Sequence, residues 1–137
     1  MNAEELLAYA HAARAVAYAP YSGFSVGAAL LAKDGRVFCG CNVENAAYTP
    51  TCCAERVALF SAVAAGAREF SAIAVVGGSD DAASKMRPCY PCGVCRQALS
   101  EFSQDGALAV HLQNDGQSVT YTLSELLPHS FDAAQLK

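Results

Sequence analysis

Two cysteine-rich stretches place the strongest constraint on how this chain folds. They read "TPTCCAERVALF" (49–60) and "RPCYPCGVCRQAL" (87–99), and in each the cysteines come just before an apolar run with helical spacing. The free N–H groups and the positive dipole end of a helix stabilise the thiolate form that metals bind. We therefore expect two helices that begin at cysteines and meet around one metal ion.

The rest of the chain alternates between helical and extended patterns. Helical spacing covers residues 3–18, 52–65 and 93–103, and β-rich runs cover 24–32, 36–42, 71–78, 108–113 and 118–122. A tight-turn signal, "KDG", predicts that the first two strands pair as a hairpin. The order predicts an α/β fold with a single domain over 1–137: a three-layer α/β/α sandwich around a five-stranded mixed sheet.

Local signals mark the ends of several helices. Asn2 and Glu5 match the capping box, in which two residues three apart bond each other's backbone N–H groups. Thr122 and Glu125 match it again and predict a short helix at "LSELLP". Gly66 predicts the end of the second helix, because glycine readily adopts the left-handed conformation that follows a helix.

The composition limits the partners of the chain. Of its 137 residues 53% are hydrophobic and 16% charged, and the mean hydropathy is +0.21. No run approaches the ~20 apolar residues that cross a membrane, so we expect no membrane partner and assign the apolar surplus to subunit interfaces. The net charge is −4, and the lysines and arginines form no basic stripe, which disfavours a nucleic-acid partner.

The N-terminal residues and the cysteines favour a cytoplasmic location. The first residues are acidic and lack the basic region that opens a signal peptide. Seven cysteines is an odd number, and without a secretion signal a disulfide framework is not expected. Thiolate metal binding or catalysis in a reducing compartment is the better interpretation.

The second cysteine-rich stretch contains two overlapping C-x-x-C pairs, Cys89 with Cys92 and Cys92 with Cys95. A C-x-x-C pair alone fits either a metal site or a thiol redox pair. Because Pro91 precedes Cys92 and the apolar spacing begins after Cys95, we expect the later pair to occupy the first turn of the helix.

The first stretch supplies a third sulfur and a carboxylate. Cys53 and Glu55 favour the metal, because a catalytic zinc site keeps three protein ligands and an open position for water. The residues alone leave open whether Cys52 or Cys53 is the ligand. Three thiolates and one Zn²⁺ sum to a charge of −1, so Arg56 and Arg96 are each candidates to donate a hydrogen bond to sulfur and offset it. The alternative for each is an arginine on the surface, and for Arg96 this alternative is nearly as well supported.

These motifs resemble those of a known family. "CAE" (53–55) followed by "PCGVC" (91–95) is similar to the zinc signature of the nucleoside deaminases. The stretches "AYAPYSGFSVGAALLAKDGRVFCGCNVENAAY" (17–48), "CRQALSEF" (95–102) and "ELLP" (125–128) resemble the small homotetrameric cytidine deaminases. The resemblance implies zinc-dependent hydrolysis of cytidine and 2′-deoxycytidine to uridine and 2′-deoxyuridine with release of ammonia, in pyrimidine salvage.

The resemblance also implies a role for each residue of the metal site. Cys53, Cys92 and Cys95 would hold one Zn²⁺ per subunit, which selects Cys53 over Cys52. Glu55 would carry protons between water and the pyrimidine. A carboxylate that serves as base and then as acid has to lie near the metal without binding it.

Further residues are implied to contact a small-molecule nucleoside. Phe24 would stack on the pyrimidine, and the backbone around Ala54 would read the edge of the base. Asn42 and Glu44 would hydrogen-bond the ribose hydroxyl. Without the resemblance, we would interpret Phe24 as a possible core residue and the other two as capping a turn.

The resemblance further implies a homotetramer with shared active sites. Phe131 would lie over the substrate of a neighbouring subunit, and Tyr48 would lie near a subunit junction. The stretch "GGSDDAASKMRPCY" (77–90) is longer than is usual in the family, which leaves the shape of this loop open.

Four other functions compete with this interpretation. A deaminase of a cytosine-containing antibiotic such as blasticidin S shares the zinc motif, but the pair of Asn42 and Glu44 suits a ribose. A deaminase of polynucleotides is disfavoured by the charge of the chain. From a different class, a structural zinc site closed by Cys52 or Cys89, or a thiol redox pair, would leave Glu55 without a catalytic role.

Overall fold

The computed structural model describes residues 1–79 and 86–137, so the predicted polar loop 79–91 lies partly outside the described residues. In chain order the elements are α1 (Ala3–Arg14), β1 (Ser25–Ala32), β2 (Val37–Cys41), α2 (Ala54–Ala64), β3 (Phe70–Gly78), α3 (Gly93–Ser100), β4 (Ala109–Asn114), β5 (Gln117–Thr122) and α4 (Leu123–Leu126). A 3₁₀ helix over Ala133–Leu136, which the sequence patterns did not predict, follows them.

The strands form one sheet in the order β2-β1-β3-β4-β5. β1 lies between β2 and β3 and runs antiparallel to both, with Leu31 opposite Val37 at the predicted hairpin. β3 and β4 are parallel, and β4 and β5 are antiparallel. The predicted five-stranded mixed sheet is therefore confirmed.

Helices cover both faces of the sheet, because alternate residues of a strand point to opposite sides. On one face α1 contributes Leu6 and Ala10 to a cluster that includes Val76 of β3. On the other face, α2 and α3 pack through Leu59 and Leu99 against the remaining positions of the central strands. This arrangement confirms the predicted three-layer α/β/α sandwich.

Two glycines allow the helices to approach the sheet closely. A Cβ atom on Gly27 would overlap the backbone of α1 at Ala10 and Arg14. A Cβ atom on Gly40 would overlap the backbone of α2 at Ala54 and Ala58. The second contact holds the first turn of α2 against β2, and this turn carries part of the cysteine site.

The predicted capping residues lie at the ends of their helices, but α1 is shorter than the sequence predicted. The capping boxes of Asn2 with Glu5 and of Thr122 with Glu125 are both confirmed. Gly66 follows α2 with a φ of 94°, as its position predicted. By contrast, the first helix ends at Arg14 rather than at residue 18, because Tyr18 forms a parallel β-bridge with Val43.

The length and apolar content of the helices show whether any of them could cross a membrane. Within residues 1–79 and 86–137, no helix combines the length and the apolar content that crossing a bilayer requires.

Candidate metal centre and surrounding pocket

The first residues of α2 and α3 bring three cysteine sulfurs together. Cys53 and Cys92 are the N-cap residues of the two helices, and Cys95 lies in the first turn of α3. The sulfur atoms of these three residues all lie within 4.8 Å of one another. The meeting of two cysteine-bearing helix starts, predicted from the sequence, is therefore present in the fold.

The spacing of the sulfurs fits zinc. A tetrahedral zinc ion with Zn–S bonds of about 2.3 Å holds its sulfur ligands about 3.8 Å apart. The Sγ atoms of Cys53 and Cys92 are 3.8 Å apart. Cys95 is fully buried, whereas Cys92 is exposed, so one side of the site faces outward.

The geometry also settles which cysteines form the group. Among the described residues, Cys52 and Cys89 do not belong to the set of three sulfurs. Burial raises the pKa of the Cys89 thiol to about 12, but the hydrogen bond with Cys53 also raises the pKa of the Cys95 thiol, so the position of the sulfurs and not their pKa separates these two cysteines. The hydrogen bond between Cys53 and Cys95 lowers the pKa of the Cys53 thiol, which is typical of a ligand sulfur.

Glu55 lies in the first turn of α2 and is 4% exposed. Burial raises the pKa of its carboxyl group to about 7, and the negative charge of Cys53 adds to this rise. The carboxyl group is close enough to interact with Cys53 and Cys95 but is not part of the sulfur group. It is thus a buried acid–base group beside a metal site.

Arg56 contacts the sulfur of the first helix start. Its NH2 group donates a hydrogen bond to Cys53 Sγ at 3.4 Å. The hydrogen bonds to Cys53 and Cys95 raise the pKa of the guanidinium further above its usual value. The side chain therefore places a fixed positive charge against the sulfur of Cys53.

Arg96 does not take the corresponding position at the second helix start. Its Nε atom donates to the carbonyl oxygen of Pro91 at 2.7 Å, and its NH1 atom donates to the carbonyl oxygen of Leu126 at 2.6 Å. The guanidinium thus binds backbone and not sulfur, which differs from both alternatives that the sequence left open.

Asn42 and Phe24 are joined by a hydrogen bond. The Nδ2 atom of the buried Asn42 donates to the carbonyl oxygen of Phe24 at 2.8 Å, and its Oδ1 atom accepts from Val26 N at 2.8 Å. The Phe24 ring is partly exposed and lines a cavity of about 310 Å³ together with Gly77 and Cys89. A Cβ atom on Gly77 would overlap both the Phe24 ring and the Cys89 sulfur, so the glycine makes room for these two side chains.

Glu44 is held by a residue that the sequence analysis missed. Its Oε1 atom accepts from the backbone N–H groups of Tyr21 and Ser22, and its Oε2 atom accepts from Ser22 Oγ. These hydrogen bonds lower the pKa of the Glu44 carboxyl group, with the Ser22 hydroxyl as the main cause. The same hydroxyl accepts from Phe24 N at 3.0 Å, so Ser22 links the two predicted substrate contacts.

The remaining predicted residues lie in three different places. Ala54 is the first residue of α2, where N–H groups have no acceptor within the helix. Tyr48 is 74% exposed and lines a cavity of about 360 Å³ with Glu44. Phe131 is 55% exposed in the C-terminal segment, where its carbonyl oxygen accepts from Gln97 Nε2 at 2.9 Å.

Two further residues support the site without having been predicted. The buried Arg14 donates to the carbonyl oxygens of Ser25 at 3.1 Å and Gly78 at 2.6 Å, which ties the paired ends of β1 and β3, next to Phe24, to α1. Gln97 holds the segment of Phe131. Both act through backbone carbonyl groups of distant elements, so the sequence offered no local signal for either contact.

Comparisons with known proteins extend over both helix starts. A family model described as the cytidine and deoxycytidylate deaminase zinc-binding region matches residues 1–111. A cytidine deaminase of Sporosarcina psychrophila is 47% identical over 137 residues, covering 99% of this chain and 96% of that protein. The crystal structure of a cytidine deaminase from Burkholderia pseudomallei is 50% identical with a TM-score of 0.85, covering 96% of this chain and 100% of that one. A blasticidin-S deaminase of Bacillus cereus is 33% identical over 105 residues, covering 75% of this chain and 74% of that protein.

Proposed function

Because the chain belongs to the cytidine and deoxycytidylate deaminase family, we propose that it hydrolyses cytidine and 2′-deoxycytidine to uridine and 2′-deoxyuridine with release of ammonia. The observation that carries the proposal is the three-sulfur site with the buried Glu55 carboxyl group beside it and outside the ligand set. An enzyme of this kind would serve pyrimidine salvage.

Zinc is the cofactor that both the family and the donor set indicate. Cys53, Cys92 and Cys95 would hold it, one ion per subunit. Bound there, it would act as a Lewis acid that lowers the pKa of a water molecule from about 15.7 toward about 7.

Glu55 would move the protons of the reaction. Its carboxylate would take a proton from the attacking water as the oxygen adds to C4 of the pyrimidine, and would deliver that proton to N3. It would then take the remaining proton from the new C4 hydroxyl and give it to the amino group, so that the C4–N bond breaks, ammonia leaves and the C4 carbonyl of the uracil ring forms. Its burial beside the sulfurs, outside the ligand set, supports this double role.

Asn42 and Glu44 would bind one sugar hydroxyl. A carboxylate has about four acceptor sites, and three of those on Glu44 are occupied by Tyr21 and Ser22. The Asn42 Oδ1 atom accepts from Val26 N, and one N–H of its Nδ2 atom donates to the carbonyl oxygen of Phe24. One N–H of Asn42 and one acceptor site on each of the two side chains remain, which suits a sugar hydroxyl and is compatible with both ribose and deoxyribose.

The base would be held between a ring and a helix start. Phe24 would stack on the pyrimidine, and its position is supported by the hydrogen bonds that Asn42 and Ser22 make to its backbone. The N–H groups at Ala54 would read the edge of the base. Arg56 would offset the excess negative charge of three thiolates through its hydrogen bond to Cys53.

The active enzyme would be a homotetramer with active sites shared between subunits. Tyr48, Phe60 and Phe131 are large apolar side chains that are mostly exposed on the single chain, which supports burial against other copies. Phe131 would then cover the substrate of a neighbouring subunit, and Tyr48 would lie near a junction.

Three further expectations belong to this proposal. Residues 1–137 would form one domain, since the described elements share a single sheet with apolar clusters on both faces. The protein would act in the cytoplasm, because all seven cysteines are free thiols and the site needs three of them as thiolates. Its partners would be nucleosides, without nucleic acid or membrane.

A second candidate function is deamination of a cytosine-containing antibiotic, which the match to a blasticidin-S deaminase favours. The two functions differ in what the pocket must recognise besides the base. The spare donor of Asn42 and the spare acceptor of Glu44 favour a sugar hydroxyl, and therefore the nucleoside.

The test is the fall in cytidine absorbance on addition of the protein, measured before and after a chelator strips zinc, with blasticidin S as the competing substrate. We expect cytidine to be consumed, the chelator to stop its consumption, and added zinc to restore it. Turnover of blasticidin S without turnover of cytidine would establish the second function. If the protein turned over neither cytidine nor blasticidin S, both candidate functions would be refuted.

A further inference from the structure

The two metal-bearing helices begin without the usual brace of a helix start. An N-cap residue normally fixes the first turn by accepting a hydrogen bond from a backbone N–H with its side chain. Cys53 and Cys92 occupy the N-cap positions of α2 and α3, and within residues 1–79 and 86–137 neither side chain makes such a bond. Some other contact has to hold these turns where zinc needs their sulfurs.

Arg96 makes that contact for α3. Its Nε–H reaches back to the carbonyl oxygen of Pro91, the residue directly before Cys92. Its backbone N–H bonds the carbonyl oxygen of Cys92 itself at 2.9 Å. The side chain and the main chain of one residue therefore fix both peptide groups that flank the Cys92 Cα atom.

The other end of the guanidinium joins this turn to a distant part of the chain. Its NH1 group donates to the carbonyl oxygen of Leu126, the last residue of α4. A guanidinium is planar and presents its donors in a fixed fork, so two bonded carbonyl groups are held at a set distance and angle. Pro91 is fully buried, which leaves the turn little freedom to shift around this anchor.

We infer that Arg96 is a positioning residue for the zinc site, which holds Cys92 and Cys95 in ligand geometry by tying their turn to α4. This inference depends on one part of the function proposed above, namely that the site binds zinc. The role is geometric, so it requires the fork of the guanidinium and not merely its positive charge.

The test is the zinc affinity of Arg96→Met and Arg96→Lys, measured by competition with a chromogenic zinc chelator. Loss of a partner that orients a metal ligand typically weakens metal binding by about 10–100-fold, and we expect a loss in this range for both variants. Lysine keeps the charge but presents one nitrogen, so it cannot reproduce the fork.

Arg68→Met is the matched control. The Arg68 side chain also binds two backbone carbonyl oxygens, those of Val63 and Ala67, each at 2.9 Å, at the far end of α2. We expect this variant to keep the zinc affinity of the wild type, and its thermal stability is measured beside that of the Arg96 variants.

Three results would overturn the inference. Wild-type zinc affinity in Arg96→Met would show that the contact does not act on the metal site. Wild-type affinity in Arg96→Lys alone would show that charge and not geometry matters. An equal loss in Arg68→Met would show a general effect of stability.

If Arg96→Met does not fold, as judged by circular dichroism, the comparison between Arg96→Lys and Arg68→Met decides. Turnover of cytidine by the zinc-saturated wild type is measured separately, so failure of this inference is distinct from failure of the proposed function.

Discussion

The two helix starts that form the metal site use the same local plan for different purposes. Each has a cysteine at the N-cap and an arginine within or just after the first turn. At α2 the arginine, Arg56, faces sulfur, and the buried Glu55 lies beside it. At α3 the arginine, Arg96, faces backbone and anchors the turn.

This difference separates chemistry from support. In the proposed function, the start of α2 would give one sulfur together with a proton carrier, Glu55, and a positive charge, Arg56, that acts on the thiolates. The start of α3 gives two sulfurs, and its arginine acts on their position. Apart from the three ligand cysteines, substitutions at the start of α2 should therefore change catalysis with the metal in place, whereas substitutions at the start of α3 should change how firmly the metal is held.

The largest expected effect is the loss of a sulfur ligand from either start. Cys53→Ser and Cys92→Ser should both abolish zinc binding and activity, since each removes one of three thiolates. Cys52→Ser and Cys89→Ser, each close in sequence to a ligand, should keep a full complement of zinc. Metal analysis of the purified variants checks this, and loss of zinc in Cys52→Ser with retention in Cys53→Ser would refute the ligand set.

The next effect is confined to the start of α2. Glu55→Gln should lower kcat by about 10²–10⁴-fold, the usual contribution of general acid–base catalysis, and should retain zinc. The amide cannot take a proton from water at neutral pH. Glu69→Gln, at an exposed position, should turn over cytidine at the wild-type rate. Unchanged turnover in Glu55→Gln would refute the proton-carrying role.

A smaller effect tests the contrast between the two arginines. Arg56→Gln should reduce activity by roughly 10–100-fold, because it removes a hydrogen-bonded charge from the thiolates. At saturating zinc the Arg96 variants should regain wild-type turnover, whereas Arg56→Gln should not. Arg36→Gln, which loses an exposed ion pair with Asp34 and contacts with Ala65 and Phe38 but none with a sulfur, serves as the control. Full recovery of Arg56→Gln at saturating zinc would remove the difference between the two starts.

The smallest effect concerns helix starts that hold no metal. Asn2 caps α1 with a complete capping box, as Thr122 does for α4. Asn2→Ala should cost about 0.5–2 kcal/mol in the free energy of unfolding and leave zinc content and turnover unchanged. Denaturant unfolding beside a zinc assay measures both, and loss of zinc in this variant would show that stability and metal retention are not separable here.

Sequence patterns predicted what local rules control. The capping boxes and the glycine after α2 depend on residues three or four apart, and all appeared where they were expected. The meeting of the two cysteine stretches was predicted because metal chemistry demands a set of ligands, although the stretches lie 39 residues apart at Cys53 and Cys92.

The side-chain contacts over long distances were harder to predict. The direction of the Arg96 side chain depends on the position of α4, because its hydrogen-bond acceptor, Leu126 O, lies 30 residues away along the chain. The bond from Ser22 to Glu44 spans 22 residues and needs the β1–β2 hairpin in place. No periodicity or spacing encodes such contacts, since they follow from the packing of whole elements.

The most direct measurement is X-ray absorption spectroscopy at the zinc edge of the purified protein. We expect three sulfur atoms at about 2.3 Å and one lighter atom, from solvent, in the fourth position. Four sulfur neighbours would mean that another cysteine fills this position and would contradict the catalytic role of the site.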